Sequence, residues 1–137
     1  MKPGPSVPRI FAFVCCLFAW SLAFGGPAKE PIRIGMTVSL DGSYSQFGKE
    51  LLKGVKMWVD DLNERGSLLG RPVELVYEND FSDLAISTYE YKDLITRQKV
   101  DFLLGPFSST LTLSATTVAE ENRIPIVTTA ASATRIW

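Results

Sequence analysis

Apolar positions along this chain change their spacing several times, and each change marks an element. Residues 10–24 are almost wholly apolar. From residue 32 onward, short apolar runs alternate with longer amphipathic ones. Ile32-Arg33-Ile34-Gly35-Met36-Thr37-Val38 reads as a strand, in which Gly35 marks close approach of another backbone or a large side chain. Leu51, Val55, Trp58 and Leu62 then recur with helical spacing and predict a helix from Phe47 or Gly48 to Arg65, closed by Gly66. Residues 67–72 form a turn, and residues 73–78 alternate cleanly as a second strand. Asp80 and Asp83 supply turn and capping residues for a helix reaching Gln98, with Leu84, Thr88, Tyr91 and Ile95 inward. A third strand covers residues 101–104. The third helix, residues 109–122, turns Leu111, Ala115, Val118 and Ala119 inward, and residues 125–128 make a fourth strand.

Strand and helix alternating in this way predict an α/β fold: a three-layer, doubly wound parallel sheet with helices on both faces. Ligands of such sheets sit at the carboxyl ends of the strands. Three loops rich in hydroxyl or small residues reach that edge: residues 39–46, 105–110 and 128–132. The middle one is the most suggestive. An apolar strand stops at Gly105-Pro106, three hydroxyl residues follow, and a helix opens, so free amides stand beside hydroxyls at a partly positive helix end. The break at Trp137, where a loop-to-helix transition has barely begun, is read as a truncation with a second lobe missing.

Composition narrows the chemistry. The 137 residues are 46% hydrophobic and 21% charged, an ordinary globular balance for one domain. A net charge of −1 gives no electrostatic footprint for nucleic acid. With no histidine, His-ligated metals and His-dependent triads are excluded, and the two cysteines, Cys15 and Cys16, lie in the first apolar run. Lys2 and Arg9 ahead of that run, and the small residues that close it, make residues 1–26 a signal peptide, with cleavage after Gly25 or Ala28. The run is short for a membrane span, so an uncleaved anchor is the lesser reading. Residues 27–31 are a linker, and the mature part, residues 32–137, is mildly acidic and exported to the periplasm.

Gly42 and Gly48-Lys49 approach a phosphate-binding loop, but five residues separate the glycines where four are needed, and Glu50 follows the lysine. Glu78, Asp80 and Asp83 could serve as acid and base, yet turn-ordering and capping account for the two aspartates. Ser108 and Ser109 have no base to activate them. Binding fits better. Ser109 can donate its hydroxyl to a carboxylate with the Thr110 amide beside it, or Ser108 or Ser109 can simply cap its own helix. Ala130-Ala131-Ser132 places a second small, hydroxyl-bearing turn on the same edge, with carbonyls open to an ammonium group. Phe47 and Phe107 can wall an apolar ligand part, or belong to the core.

Residues 32–35, Gly42 through Phe47-Gly48, Leu69-Gly70-Arg71-Pro72-Val73-Glu74-Leu75, Asp80-x-x-Asp83, residues 100–106 and residues 124–127 together resemble the amino-terminal lobe of type I periplasmic binding proteins. The similarity is to the leucine/isoleucine/valine-binding branch, which serves ABC importers of branched-chain amino acids, amides and urea. It spans residues 31–137. The resemblance implies a ligand held between two lobes, with Ser109 as carboxylate-binding hydroxyl. It implies that Ala130, Ala131 and Ser132 handle the ligand's ammonium and carboxylate, that Phe47 is an aromatic wall, and that Phe107 and Ser108 contact the ligand through backbone. Phe47 lacks the phenolic hydroxyl often found there, and Pro106-Phe107 makes its loop bulkier than usual. The implied protein captures an amino acid or similar small polar solute for ABC permease subunits, without cofactor or catalysis. The sensor domain of a receptor or kinase, and a small exported flavodoxin-like enzyme, are the alternatives.

Overall fold

The computed structural model describes residues 29–136, so the expected signal peptide and the first two residues of the expected linker lie outside the described residues. Within them the order is β1 (Ile32–Val38), α1 (Ser45–Glu64), β2 (Val73–Asn79), α2 (Leu84–Thr96), β3 (Phe102–Leu104), α3 (Ser109–Asn122) and β4 (Ile126–Val127), followed by a 3-10 turn at Thr134–Ile136. The four strands form one parallel sheet in the order β2-β1-β3-β4. β1 pairs along its whole length with β2, from Ile32 opposite Val73 to Val38 opposite Asn79. On its other side it pairs with β3 at Ile34–Phe102 and Gly35–Leu103. The expected doubly wound fold is therefore present, as an incomplete lobe.

β1 is the central strand, and its two faces serve two cores. Ile32, Ile34, Met36 and Val38 pack with Leu52, Val55 and Val59 of α1 on one face. On the other face Leu103 of β3 packs with Tyr91 and Leu94 of α2 and Ala115, Val118 and Ala119 of α3. Gly35 is what lets that second layer settle: a Cβ there would lie 3.0 Å from Val100 Cγ2 and 3.2 Å from Leu103 Cδ2, against buried side chains with little room to give. Gly48 does the same for α1, since a Cβ would collide with the Ser39 carbonyl oxygen. The Gly48 of the near phosphate-loop pattern is thus a packing glycine.

The inward face of α1 differs from the expected stripe. Gly48, Leu52, Val55 and Val59 are buried, Leu51 and Leu62 are half-buried, and Trp58 is 42% exposed. Two overlapping stripes share Val55, and the close contact at Gly48 selects the one that includes it. In α2, Leu84 is exposed and Thr88 and Ile95 are only half-buried, whereas Ser87, Tyr91, Asp93 and Leu94 are buried. The four inward positions expected of α3 are all buried. β2 is an edge strand, so beyond Val73 and exposed Glu74 it is half-buried throughout rather than alternating.

Both long helix ends are closed by paired backbone bonds. After α1, the Gly66 amide donates to the Asn63 carbonyl at 3.2 Å and the Ser67 amide to the Leu62 carbonyl at 2.9 Å. After α3 the same pair runs from Arg123 to Glu120 at 3.1 Å and from Ile124 to Ala119 at 3.0 Å. Arg123 carries this turn at φ 54°, a left-handed conformation that costs a side-chain-bearing residue energy. On α2, partial burial first, and then the neighbouring carboxylates of Glu78 and Asp93, push the Glu90 carboxyl above its ordinary value, with Arg97 opposing.

Two outcomes follow from these positions. Arg123→Gly should raise stability by about 0.5–1 kcal/mol in urea denaturation, because the αL turn then carries no Cβ penalty. Because the Glu90 pKa is raised on folding, its favourable contribution is complete below the unfolded-state value and is lost as pH rises. Glu90→Gln should therefore raise the melting temperature at pH 7, with a gain that disappears on acidification through the carboxylate range.

Candidate ligand-binding site

The carboxyl edge of the sheet is built from two polar assemblies, one beyond β1 and β2 and one beyond β3 and β4. The first centres on Asp80, which is fully buried. Its carboxylate accepts from Thr37 Oγ1 at 2.9 Å, Ser39 Oγ at 2.6 Å and the Ser82 amide at 2.9 Å. Ser87 Oγ lies 3.1 Å from Thr37 Oγ1 and extends the network into α2. Ser82 Oγ then donates to the Asp41 carbonyl at 2.8 Å and accepts from the Tyr44 amide at 3.0 Å. Asn79 adds a parallel tie, accepting from the Leu40 amide and donating to Asp41. The hydroxyls of Ser39 and Ser82 are therefore engaged in holding the loop that enters α1.

Asp83 caps α2, accepting from the amides of Ala85 at 2.8 Å and Ile86 at 2.9 Å. Glu78 accepts from Gln98 Nε2 at 2.8 Å. Each of the three acidic residues thus has a structural partner, and Asp80 orders its turn as expected, although its role as a buried hub for the Thr37 and Ser39 hydroxyls was not anticipated.

The second assembly joins the loops after β3 and β4. Tyr91 fixes its base from below: its hydroxyl donates to the Leu104 carbonyl at 2.7 Å, and burial holds its pKa well above the usual tyrosine value. The Gly105 amide donates to the Val127 carbonyl at 2.8 Å, Thr129 Oγ1 donates to the Gly105 carbonyl at 2.8 Å, and the Ser108 amide donates to the Ala130 carbonyl at 3.2 Å. Phe107 and Ala130 form a parallel bridge, so the strand pairing continues in part beyond β3 and β4.

Ser108 and Ser109 divide the two roles left open by the sequence. Ser108 is the N-cap of α3, accepting from the Leu111 amide at 3.3 Å. Ser109 is not a cap. Its Oγ accepts from the Ser132 amide at 3.1 Å and the Ala133 amide at 3.2 Å. A hydroxyl has two lone pairs and one proton. With both lone pairs engaged, Ser109 can offer a further partner only its O–H. The amides of Ser109 and Thr110 have no backbone acceptor among the described residues, so the first turn of α3 carries these two amides and the Ser109 hydroxyl as donors.

Ser109 lines a depression of about 520 Å³ together with Phe107, Ser108, Thr129, Ala130, Ala131 and Ser132, while Thr110 lines an adjoining groove with Leu84, Leu113 and Arg135. Six of the seven residues chosen from the sequence line the depression together. The seventh, Phe47, stacks on Phe107 with ring centroids 4.6 Å apart and planes 7° from parallel. Tyr44 meets Phe107 at 5.7 Å and 59°. Tyr44 and Thr129 were not singled out from the sequence; the spacing of Tyr44 and Phe47 across one turn at a helix start was the available signal. One expectation changes: the Ala130 carbonyl already accepts from Ser108, so it is not wholly free for an ammonium group. A second groove of about 450 Å³ runs beside α1, lined by Glu50, Leu51, Gly54, Val55, Trp58, Leu104 and Thr129. It is mostly apolar and lacks the convergent donors that orient a polar ligand.

The free donors lie beyond β3 and β4, at the carboxyl edge where ligands of parallel sheets bind. The Periplasmic binding protein family profile matches residues 31–136, and the chain belongs to that family. Its members are periplasmic solute-binding proteins rather than enzymes. Among curated relatives, the Leu/Ile/Val-binding protein BraC3 of Rhizobium johnstonii is 28% identical over 113 residues, covering 82% of this chain and 30% of the relative. Leu/Ile/Val-binding protein homolog 2 of Brucella abortus is 28% identical over 112 residues, with the same coverage. The branched-chain amino acid transporter substrate-binding protein LivJ of Streptococcus pneumoniae, solved in complex with isoleucine, aligns at a TM-score of 0.75 and 27% identity over 78% of this chain and 31% of that one. The leucine-binding protein LivK of Thermotoga maritima aligns at 0.70 and 27% identity. The chain thus spans about 30% of the length of these relatives.

The Asp80 hub carries a direct test. Asp80→Ala leaves buried hydroxyls without an acceptor and should cost about 2–4 kcal/mol in urea denaturation, with Asp80→Asn closer to the original because it keeps one acceptor oxygen.

Proposed function

We propose that this chain is the amino-terminal lobe of an exported, two-lobe solute-binding protein that captures an amino acid, or a similar small zwitterion, for an ABC importer. Residues 1–26 act as the signal peptide, residues 27–31 as a linker, and residues 32–137 as one jaw of the cleft. A further lobe supplies the other jaw, in keeping with a match that reaches only about 30% of the relatives' length. Closure of the two lobes over the ligand is the change that permease subunits read.

The observation that carries this reading is the polarity of Ser109. Two backbone amides hold its oxygen, so its proton is the group presented to a ligand. Beside it the amides of Ser109 and Thr110 add donors at a helix end that favours negative charge. A carboxylate matches all three. Ser132 and the small residues Ala130 and Ala131 let the rest of the ligand approach the backbone, and Phe107 backed by Phe47 forms an apolar wall. The Leu/Ile/Val-binding relatives and the isoleucine complex of LivJ support an amino acid as the ligand class.

Ser109→Ala in the full-length protein should weaken binding of leucine, isoleucine or valine by about 1–3 kcal/mol, the scale of a hydrogen bond to a charged group. Calorimetry that returned an unchanged affinity would remove Ser109 from the site, and the proposed carboxylate contact with it.

A further inference from the structure

We infer that the outer face of α1 is a self-complementary docking surface, through which two copies of this chain pair antiparallel about a two-fold axis at Met57.

Lys49, Lys53, Met57, Asp60 and Glu64 recur at spacings of four, four, three and four along α1, with Lys56 beside Met57. At about 3.6 residues per turn these positions share one face. All six are exposed, and all but Glu64 line one depression of about 300 Å³. Charge is sorted along this stripe. The three lysines occupy its first half and the two acidic residues its second, with Met57, 63% exposed, between them.

Within a single copy that order is unfavourable. Lys49 and Lys53 are like charges four residues apart, and so are Asp60 and Glu64, an arrangement that destabilises a helix. Glu64 also ends α1 where the helix dipole is already negative. None of Lys49, Lys53, Asp60 and Glu64 has an ion-pair partner among the described residues. Lys56 alone is engaged, donating to Tyr77 Oη at 3.0 Å.

A second α1 laid antiparallel removes each conflict. With the axis between Lys56 and Met57, Lys49 lies opposite Glu64 of the second copy, and Lys53 opposite its Asp60. The two-fold axis repeats both pairs, giving four of them along a stripe about 22 Å long. At the axis Met57 meets the aliphatic stem of Lys56, which is already held over Tyr77. A wholly acidic partner would suit the first half of the stripe and oppose the second, and a wholly basic one the reverse. A second copy suits both. None of the stripe residues lines the depression at Ser109, so pairing leaves that site open. One helix face is smaller than the roughly 1,600 Å² of a standard interface, so the pair is weak and salt-sensitive.

Sedimentation equilibrium on the full-length protein tests this. At about 0.02 M salt, the average mass should climb towards twice the monomer's as concentration rises from about 10 to about 500 μM. At about 0.5 M salt it should return to the monomer's. Lys53→Glu and Asp60→Lys, both at exposed positions, should each weaken pairing at least about tenfold, because each sets like charges against one another. Mixing the two variants should restore pairing, since the opposed charges are then complementary again, and the double variant should pair with itself. A monomer at every concentration in low salt overturns the inference. So does a dimer that survives either charge reversal, and so do variants that fail to recover on mixing.

Discussion

The loops after β3 and β4 complete one another's hydrogen bonds, and the candidate site exists because they do. β4 itself is only two residues long, too short to position anything by strand pairing alone. Beyond it the pairing is carried on by Gly105 to Val127, Ser108 to Ala130 and the Thr129 hydroxyl to the Gly105 carbonyl. The last stitch is different in kind, because Ser109 accepts two amides from the opposite loop through its side chain. A backbone carbonyl in that position would leave only lone pairs to a ligand. A hydroxyl leaves a proton. The contact that locks the two loops together is therefore the same one that fixes the sign of the group they present.

The other half of the edge solves a separate problem. The loop from β1 must bend sharply into α1 while β1 stays buried on both faces. Unpaired polar groups at that depth would cost several kcal/mol. Asp80 gathers the Thr37 and Ser39 hydroxyls and the Ser82 amide on a single buried carboxylate, and Gly48 allows the first turn of α1 to sit against the Ser39 carbonyl. The two halves then meet through rings rather than polar groups, where Tyr44 and Phe47 at the start of α1 touch Phe107. A rigid polar base under each loop and an apolar contact between them is a sound way to hold a site on otherwise mobile elements.

Much of this was legible in the sequence where the signal is local. β1 and α3 were read with the bounds they have, because an apolar run and a hydroxyl cap next to Gly-Pro are short-range features. The Asp83 cap and the Gly66 helix stop belong to the same class. The face of α1 was not, since Leu51 with Trp58 and Leu52 with Val59 offer two stripes of equal periodicity. Only the tertiary contact at Gly48 separates them. The Asp80 hub joins residues 41 and 43 positions apart, a relation that no local pattern encodes. Ser109 lies between these cases. Its position at a helix start was visible, but whether its oxygen caps that helix or bonds the next loop depends on where β4 returns.

That last distinction decides what the edge can do. Had Ser109 been the cap, its oxygen would have pointed at its own helix and the first-turn amides would have been partly consumed. With Ser108 taking the cap at Leu111, the Ser109 and Thr110 amides stay available beside the Ser109 proton. Consecutive serines thus separate two tasks that one residue cannot perform together: closing a helix and facing a ligand. The separation requires Ser108 to adopt φ 86°, an unfavourable value for a residue with a side chain. The strain falls at the residue that aims the next one, where local strain in proteins is concentrated when it serves a site. A glycine would relax the backbone at Ser108 but remove the cap, so helix stability and ligand-facing geometry both hold serine at that position.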